Sequence, residues 1–156
     1  MASNDFLKAK IVAVIDATDQ TGQPVGIVLI STDEWGNRVL PIVIGGAETL
    51  SLQKGLNTVD FPRPLTHDLF IDVLESLGAN IEKVEIDSLV QGVFTATVYI
   101  KDSKGKTYRF DSRPSDAMAL AVRANAPIYV AKFLYDYTED ISNYTSNRDQ
   151  FDEFEE

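Results

Sequence analysis

The sequence predicts an α+β fold: two antiparallel or mixed strand groups packed with about three helices in a single compact domain. Three observations carry that prediction. Apolar runs rich in β-branched residues fall into two groups, one ending at Ile44 and one beginning at Ile81. Segments with apolar residues at helical spacing lie between and after them. The resulting order, strands, helices, strands, helix and strand, suits segregated layers better than a doubly wound sheet.

The first group opens with Lys8 to Ile15, which contains the unbroken apolar run Ile11 to Ile15. Val25 to Ile30 and Val39 to Ile44 are similar, and such runs read as strands buried on both faces. Turn residues at Asp19 to Pro24 and Asp33 to Asn37 make the three a meander, with Trp35 anchoring a turn or an interface. Pro41 lacks a donor and belongs at an edge or bulge. Ala47 to Leu56 reads as a short helix with Leu52 and Leu56 on one face. After a loop, Thr66 to Leu77 is the best helical pattern in the chain, with Leu69, Phe70, Val73, Leu74 and Leu77 at helical spacing. Thr66 is its expected N-cap, and Gly78 fits the position just past its end.

The second group comprises Ile81 to Asp87, Val93 to Lys101 and Lys106 to Asp111, with a hairpin turn at Asp102 to Gly105. Strict alternation in Val93 to Ile100 puts Phe94, Ala96, Val98 and Ile100 on one face. By the same rule Tyr108 and Phe110 point into the core, while Arg109 and Asp111 share the other face. A helix over Pro114 to Ala124, with proline suited to its first position, leads to a short final strand, Ile128 to Ala131. Residues 1–131 form the expected domain. Residues 132–156 read as an acidic tail, partly helical or frayed.

With 156 residues, 44% of them apolar, the chain can fill one core but hardly two. It has no cysteine, which excludes disulfides and thiolate metal sites. No secretory pattern or membrane-length apolar run is present, so a cytoplasmic location is expected. The net charge is −10, but eight acids and only two bases lie in the tail. The remaining body, with 16 acids and 12 bases, is close to neutral, so strong non-specific binding to nucleic acid is not expected.

The polar chemistry gathers at two arginine-proline helix entries. Arg63-Pro64-Leu65-Thr66-His67-Asp68 places a cation beside a helix N-terminus, where free N–H groups favour anions. His67 is the only histidine and can act as general acid, general base or metal ligand. Asp68 adds a hard oxygen ligand, or simply trims the helix dipole. At the second entry Asp111, Arg113 and Asp116 either hold Mg²⁺ or Mn²⁺ and a phosphate, or form an internal ion pair that fixes the turn. Ser115 lies between them but lacks a dedicated base to make it a nucleophile. Glu48 opens the first helix and can reach the same region.

Those two entries, with Arg63 to Leu69, Asp111 to Arg123, Pro127 to Val130 and the opening Gly45-Gly46-Ala47-Glu48, resemble the bifunctional nuclease domain family. The likeness spans roughly residues 8–131, and the spacing of the two motifs is specific to it. It implies an α+β domain, often a dimer, with divalent-cation-dependent RNase and DNase activity in some members. Placed on those positions, Asp68, Asp111 and Asp116, with Glu48 nearby, would hold Mg²⁺ or Mn²⁺. Arg63, Arg113 and Ser115 would bind phosphate, and His67 would move the proton. The expected substrate is RNA or single-stranded DNA, and a homodimer is expected. The competing expectation is a non-enzymatic dimeric ligand-binding or protein-interaction module whose two motifs are fold-determining turns.

Overall fold

The computed structural model describes residues 5–147. Among them the strands are β1 (Phe6–Thr18), β2 (Pro24–Ser31), β3 (Arg38–Gly45), β4 (Asn80–Val90), β5 (Val93–Lys101), β6 (Thr107–Ser112), β7 (Ile128–Ala131) and β8 (Glu139–Asp140). The helices are α1 (Gly46–Gly55), α2 (Thr66–Ser76) and α3 (Pro114–Ala124). The chain is thus α+β, and its two strand groups join into one sheet of order β6-β5-β4-β7-β1-β2-β3-β8. The joining strand is β7, parallel to β4 and antiparallel to β1.

β1 serves both halves because it is long and irregular. Its first residues pair with β7, and those from Lys10 onward pair with β2. The register shifts between Ile11 and Ala13. One extra residue there reverses the alternation, so Leu7, Ala9 and Ile11 share a face with Val14. Ala13 and Ile15 turn to the opposite face, where they join Leu29 and Val39. The apolar runs are therefore buried on both sides.

The main core lies under the helices. Ala117, Met118, Leu120 and Ala121 of α3 pack against Val84, Ile86, Ala96 and Val98, and Leu52 of α1 joins them. The segment after Ala131 continues the domain instead of hanging free. It forms a 3₁₀ turn at Lys132–Tyr137, then β8, then a 3₁₀ segment at Ile141–Asn147. Leu134 is fully buried in the main core, and Tyr135 meets Trp35 edge-on at 5.9 Å, so Trp35 anchors this packing. Ile141 and Tyr144 cover the second cluster. The acids from Asp149 onward lie outside the described residues.

Three sequence expectations are corrected. Thr66 is the first residue of α2 rather than its cap; Leu65 holds the cap position, and the Asp68 carboxylate accepts the Leu65 N–H at 2.7 Å. Tyr108 and Phe110 are not core residues. β6 is the sheet edge with no strand beyond it among the described residues, and Phe110 is 50% exposed. The apolar face of α2 is only partly covered: Leu74 packs on the core, while Leu69, Val73 and Leu77 are exposed, Leu77 at 73%. Periodicity marks a face as apolar but not what stands against it. Other local readings agree with the structure. Gly78 adopts a φ of +78° after α2, with the Gly78 N–H bonded to Glu75 and the Ala79 N–H to Leu74, a double-bonded helix stop that favours glycine. β8 pairs only with Arg38 and Val39, so Pro41 sits where β3 has become an edge.

Candidate active site

The two helix entries meet. Glu48, Ser51 and Lys54 recur every third residue along α1, and Asp116 and Arg123 stand two turns apart on α3. The N-terminus of α2 packs beside both helices and supplies His67 and Asp68. These residues form one continuous polar chain across the three helices.

At its inner end Asp68 is held by two cations. Lys54 Nζ and Arg123 Nε each donate to its carboxylate at 2.7 Å. Desolvation alone would raise this carboxyl, but the bonds from Arg123, Lys54 and the Leu65 N–H outweigh it and hold it far below the usual carboxylate range. The Arg123 side chain is only 7% exposed, so its charge requires this partner. Gly55 makes the approach possible, since a Cβ there would lie 2.7 Å from Arg123 Nη1.

Arg123 Nη2 also donates to Ser51 Oγ at 3.2 Å, and Ser51 Oγ lies 2.6 Å from His67 Nδ1. A guanidinium has no acceptor, so Ser51 Oγ accepts from Arg123. The Asp116 carboxylate can only accept, so His67 Nε2–H donates to Asp116 Oδ1 at 2.8 Å, and in the neutral ring Nδ1 is left to accept the Ser51 hydroxyl. Both ring nitrogens are thus engaged. The His67 side chain is 13% exposed and Asp116 is 34% exposed, so Asp116, not His67, is the member of the pair that meets solvent.

Arg113 closes the chain. Its Nε and Nη2 reach the two Asp116 oxygens at 3.0 and 3.2 Å, and Nη1 reaches Glu48 Oε2 at 3.4 Å. Burial pushes the Asp116 carboxyl up, but Arg113 and His67 together hold it below its ordinary value. Hydrogen bonding to Asp116, then its charge, raises the Arg113 guanidinium further. The Arg113 side chain is 63% exposed and faces a groove of about 910 Å³ between α2, α3 and the β5–β6 strands.

Not every residue expected from the sequence arrives here. His67, Asp116, Arg113 and Glu48 do. Asp68 joins through Arg123 and Ser51 but spends its oxygens on Lys54, Arg123 and Leu65. Asp111 pairs with Thr97 across the ladder, and neighbouring Phe110 pairs with Val98 of the helix-side core. Alternation turns the Asp111 side chain away from the helix-side core, although the residue lines the edge of the groove that His67, Arg113 and Asp116 share. Arg63 is exposed, and its carbonyl, not its guanidinium, meets the chain by accepting from Lys54 at 3.2 Å. Ser115 is buried in the first turn of α3, facing a smaller cleft against β3. Among the described residues no three His, Cys, Asp or Glu side chains gather as metal ligands. The acids expected to hold Mg²⁺ or Mn²⁺ do not converge as such a set: Asp68, Asp116 and Glu48 are each bonded to a cation, and Asp111 stands apart from them on the edge strand. Ser51, Lys54 and Arg123 were not singled out in the sequence, although their spacing against Glu48 and Asp116 was visible there.

The structure is thus an α+β domain carrying a histidine–carboxylate–arginine cluster beside an open groove. The chain belongs to the bifunctional nuclease domain family, whose profile matches residues 27–140. An uncharacterised protein of Mycobacterium tuberculosis is 38% identical over 103 residues, 66% of this chain and 60% of that protein. Bifunctional nuclease 2 of Arabidopsis thaliana is 26% identical over 113 residues, 71% of this chain and 34% of that protein. Bifunctional nuclease 1 of the same plant is 24% identical over 109 residues, 69% and 34% respectively. The chain thus spans about 60% of the mycobacterial relative and a third of the plant ones. No helix among the described residues is long and apolar enough to cross a membrane.

Proposed function

We propose that this domain hydrolyses phosphodiester bonds in RNA or single-stranded DNA, with Asp116 as the proton acceptor at the groove and Arg113 as the phosphate clamp. The observation that carries the reading is the shared use of Arg113. It is the exposed cation of the cluster, and in the free protein it is bonded to Asp116 and Glu48. A phosphodiester arriving in the groove competes for the same donors. As Arg113 turns to the phosphate, Asp116 loses its strongest donor and its carboxyl rises toward the ordinary range. It then becomes a better acceptor for a water proton just when substrate is in place. His67 keeps its Nε2–H on Asp116 and orients it, and Arg113 offsets the charge developing on phosphorus-bound oxygen. No step is assigned to a divalent ion, because Asp68, Asp116 and Glu48 are engaged by Lys54, Arg123 and Arg113 and Asp111 stands apart from them on the edge strand.

Homodimerisation belongs to the same proposal. Leu69, Val73 and Leu77 form an exposed stripe along α2, and a second copy is the partner that the family resemblance suggests.

The test is cleavage of single-stranded RNA and DNA oligonucleotides with Mg²⁺, with Mn²⁺ and with chelator. Asp116→Asn and His67→Ala are each expected to lose roughly 10²- to 10⁴-fold in rate. Cleavage that is identical in wild type and both variants would show a contaminant. Absence of cleavage in every condition would favour the non-enzymatic module instead.

A further inference from the structure

The groove beside Arg113 is far larger and more apolar than a phosphate requires. Its walls include Phe70 and Leu74 from α2 and Phe94, Val98 and Phe110 from the sheet. Phe70 and Phe110 are about half open to solvent, although each stands beside other apolar groups. Arg113 is the only lysine or arginine in the lining, and it stands at one end with His67 and the acids Asp111 and Asp116; a single phosphate reaches it by displacing its bonds to Asp116 and Glu48. The ligand that complements this arrangement is anionic at one end and flat and apolar along the rest.

We propose that the groove binds an unpaired nucleobase of the strand whose phosphate Arg113 holds, stacked against Phe110 and Phe70. This rests on the nuclease reading and adds to it a base site and a reason for single-strand preference. A base in a duplex has both faces covered by its neighbours and its edge engaged by its partner. It can enter only after leaving the stack, whereas a single strand offers it directly. Aromatic side chains accept any base by its π-face, so the site predicts weak sequence preference. Ser112 on the same wall gives its hydroxyl hydrogen to the Arg113 carbonyl and keeps an oxygen that can accept from a base edge. With one arginine against two acids in the lining, recognition rests on the base and one phosphate, not on a long track of backbone charges.

The experiment measures binding of a phosphorothioate-linked single-stranded tetradeoxynucleotide carrying 2-aminopurine, read by its fluorescence. A matched abasic tetramer and a hairpin duplex of the same sequence are the comparisons. Wild type is expected to quench the probe and to bind the abasic tetramer and the duplex more weakly. Phe110→Ala should weaken binding of the base-bearing strand roughly ten- to hundred-fold and leave the abasic strand unchanged. Phe110→Leu and Phe70→Leu keep an apolar side chain and should show intermediate losses. Phe110 is half-exposed on an edge strand, so circular dichroism should show these variants folded.

Equal affinity for base-bearing and abasic strands overturns the base site, as does an equal loss for both in Phe110→Ala. Failure of any strand to bind overturns it as well. Cleavage is scored separately: base-dependent binding without hydrolysis would sink the nuclease reading and leave the groove's assignment standing. Hydrolysis indifferent to the base would do the reverse.

Discussion

Replacing Asp68 with asparagine should be the most damaging single change in the site for stability, and the structure says why. The substitution removes the negative partner of Arg123, whose guanidinium is almost wholly enclosed, and of Lys54. Removing one member of a buried ion pair typically costs about 3–5 kcal/mol. Two features reduce that figure. Asp68 is itself partly exposed, and Arg123 keeps its bonds to the Ala119 carbonyl and Ser51. An asparagine oxygen can also still accept the Leu65 N–H. A net loss of about 2–4 kcal/mol is expected, measured by urea unfolding at neutral pH. The pH dependence follows from the direction of the shift. The folded carboxyl lies below its ordinary 3.8, so its stabilisation is fully present above that value and is lost as the pH falls toward the folded one. The deficit of Asp68→Asn should therefore be constant near neutrality and shrink progressively below about pH 5. Pairing Asp68→Asn with Arg123→Met should recover much of the loss, since the uncompensated cation is gone. A deficit under about 1 kcal/mol, or one that grows as pH falls, would refute the claim that a compensated buried cation organises this site.

Ser51→Ala should leave the fold intact but free His67 Nδ1, so ¹⁵N NMR should show the neutral ring shifting from a single Nε2–H tautomer toward a mixture. An unchanged tautomer would mean that Asp116 alone sets it. Over the second apolar cluster, Tyr144 donates to Glu139 at 3.0 Å, and desolvation together with that acceptor pushes its phenol up to about 12. Its contribution is full below the ordinary 10.0 and is lost as pH rises through about 12, so it should be the last tyrosine seen in a phenolate absorbance titration. Tyr144→Phe should remove that late step and cost about 1 kcal/mol. Leu69→Ser with Val73→Ser should reduce self-association in sedimentation without lowering the unfolding midpoint; an unchanged association state would mean that α2 is not the contact.

Much of the architecture was legible along the chain because it is local. The strand runs, the Gly78 helix stop and the proline-led α3 follow from side-chain period and backbone preference at neighbouring positions. The importance of the two arginine-proline entries was also visible, since His67 is unique and the acids cluster there. What the chain alone left open was partnership. Asp68, Asp111 and Asp116 look equivalent as carboxylates in a sequence. Folding gives the first to Arg123 and Lys54, sets the second on the edge strand of the groove apart from these ion pairs, and leaves the third between His67 and Arg113. The bulge in β1, the joining role of β7 and the docking of Ile141 and Tyr144 depend likewise on contacts between distant residues. Period and propensity act over a few positions, whereas charge pairing and burial depend on which surfaces meet in space, and only the tertiary structure decides that.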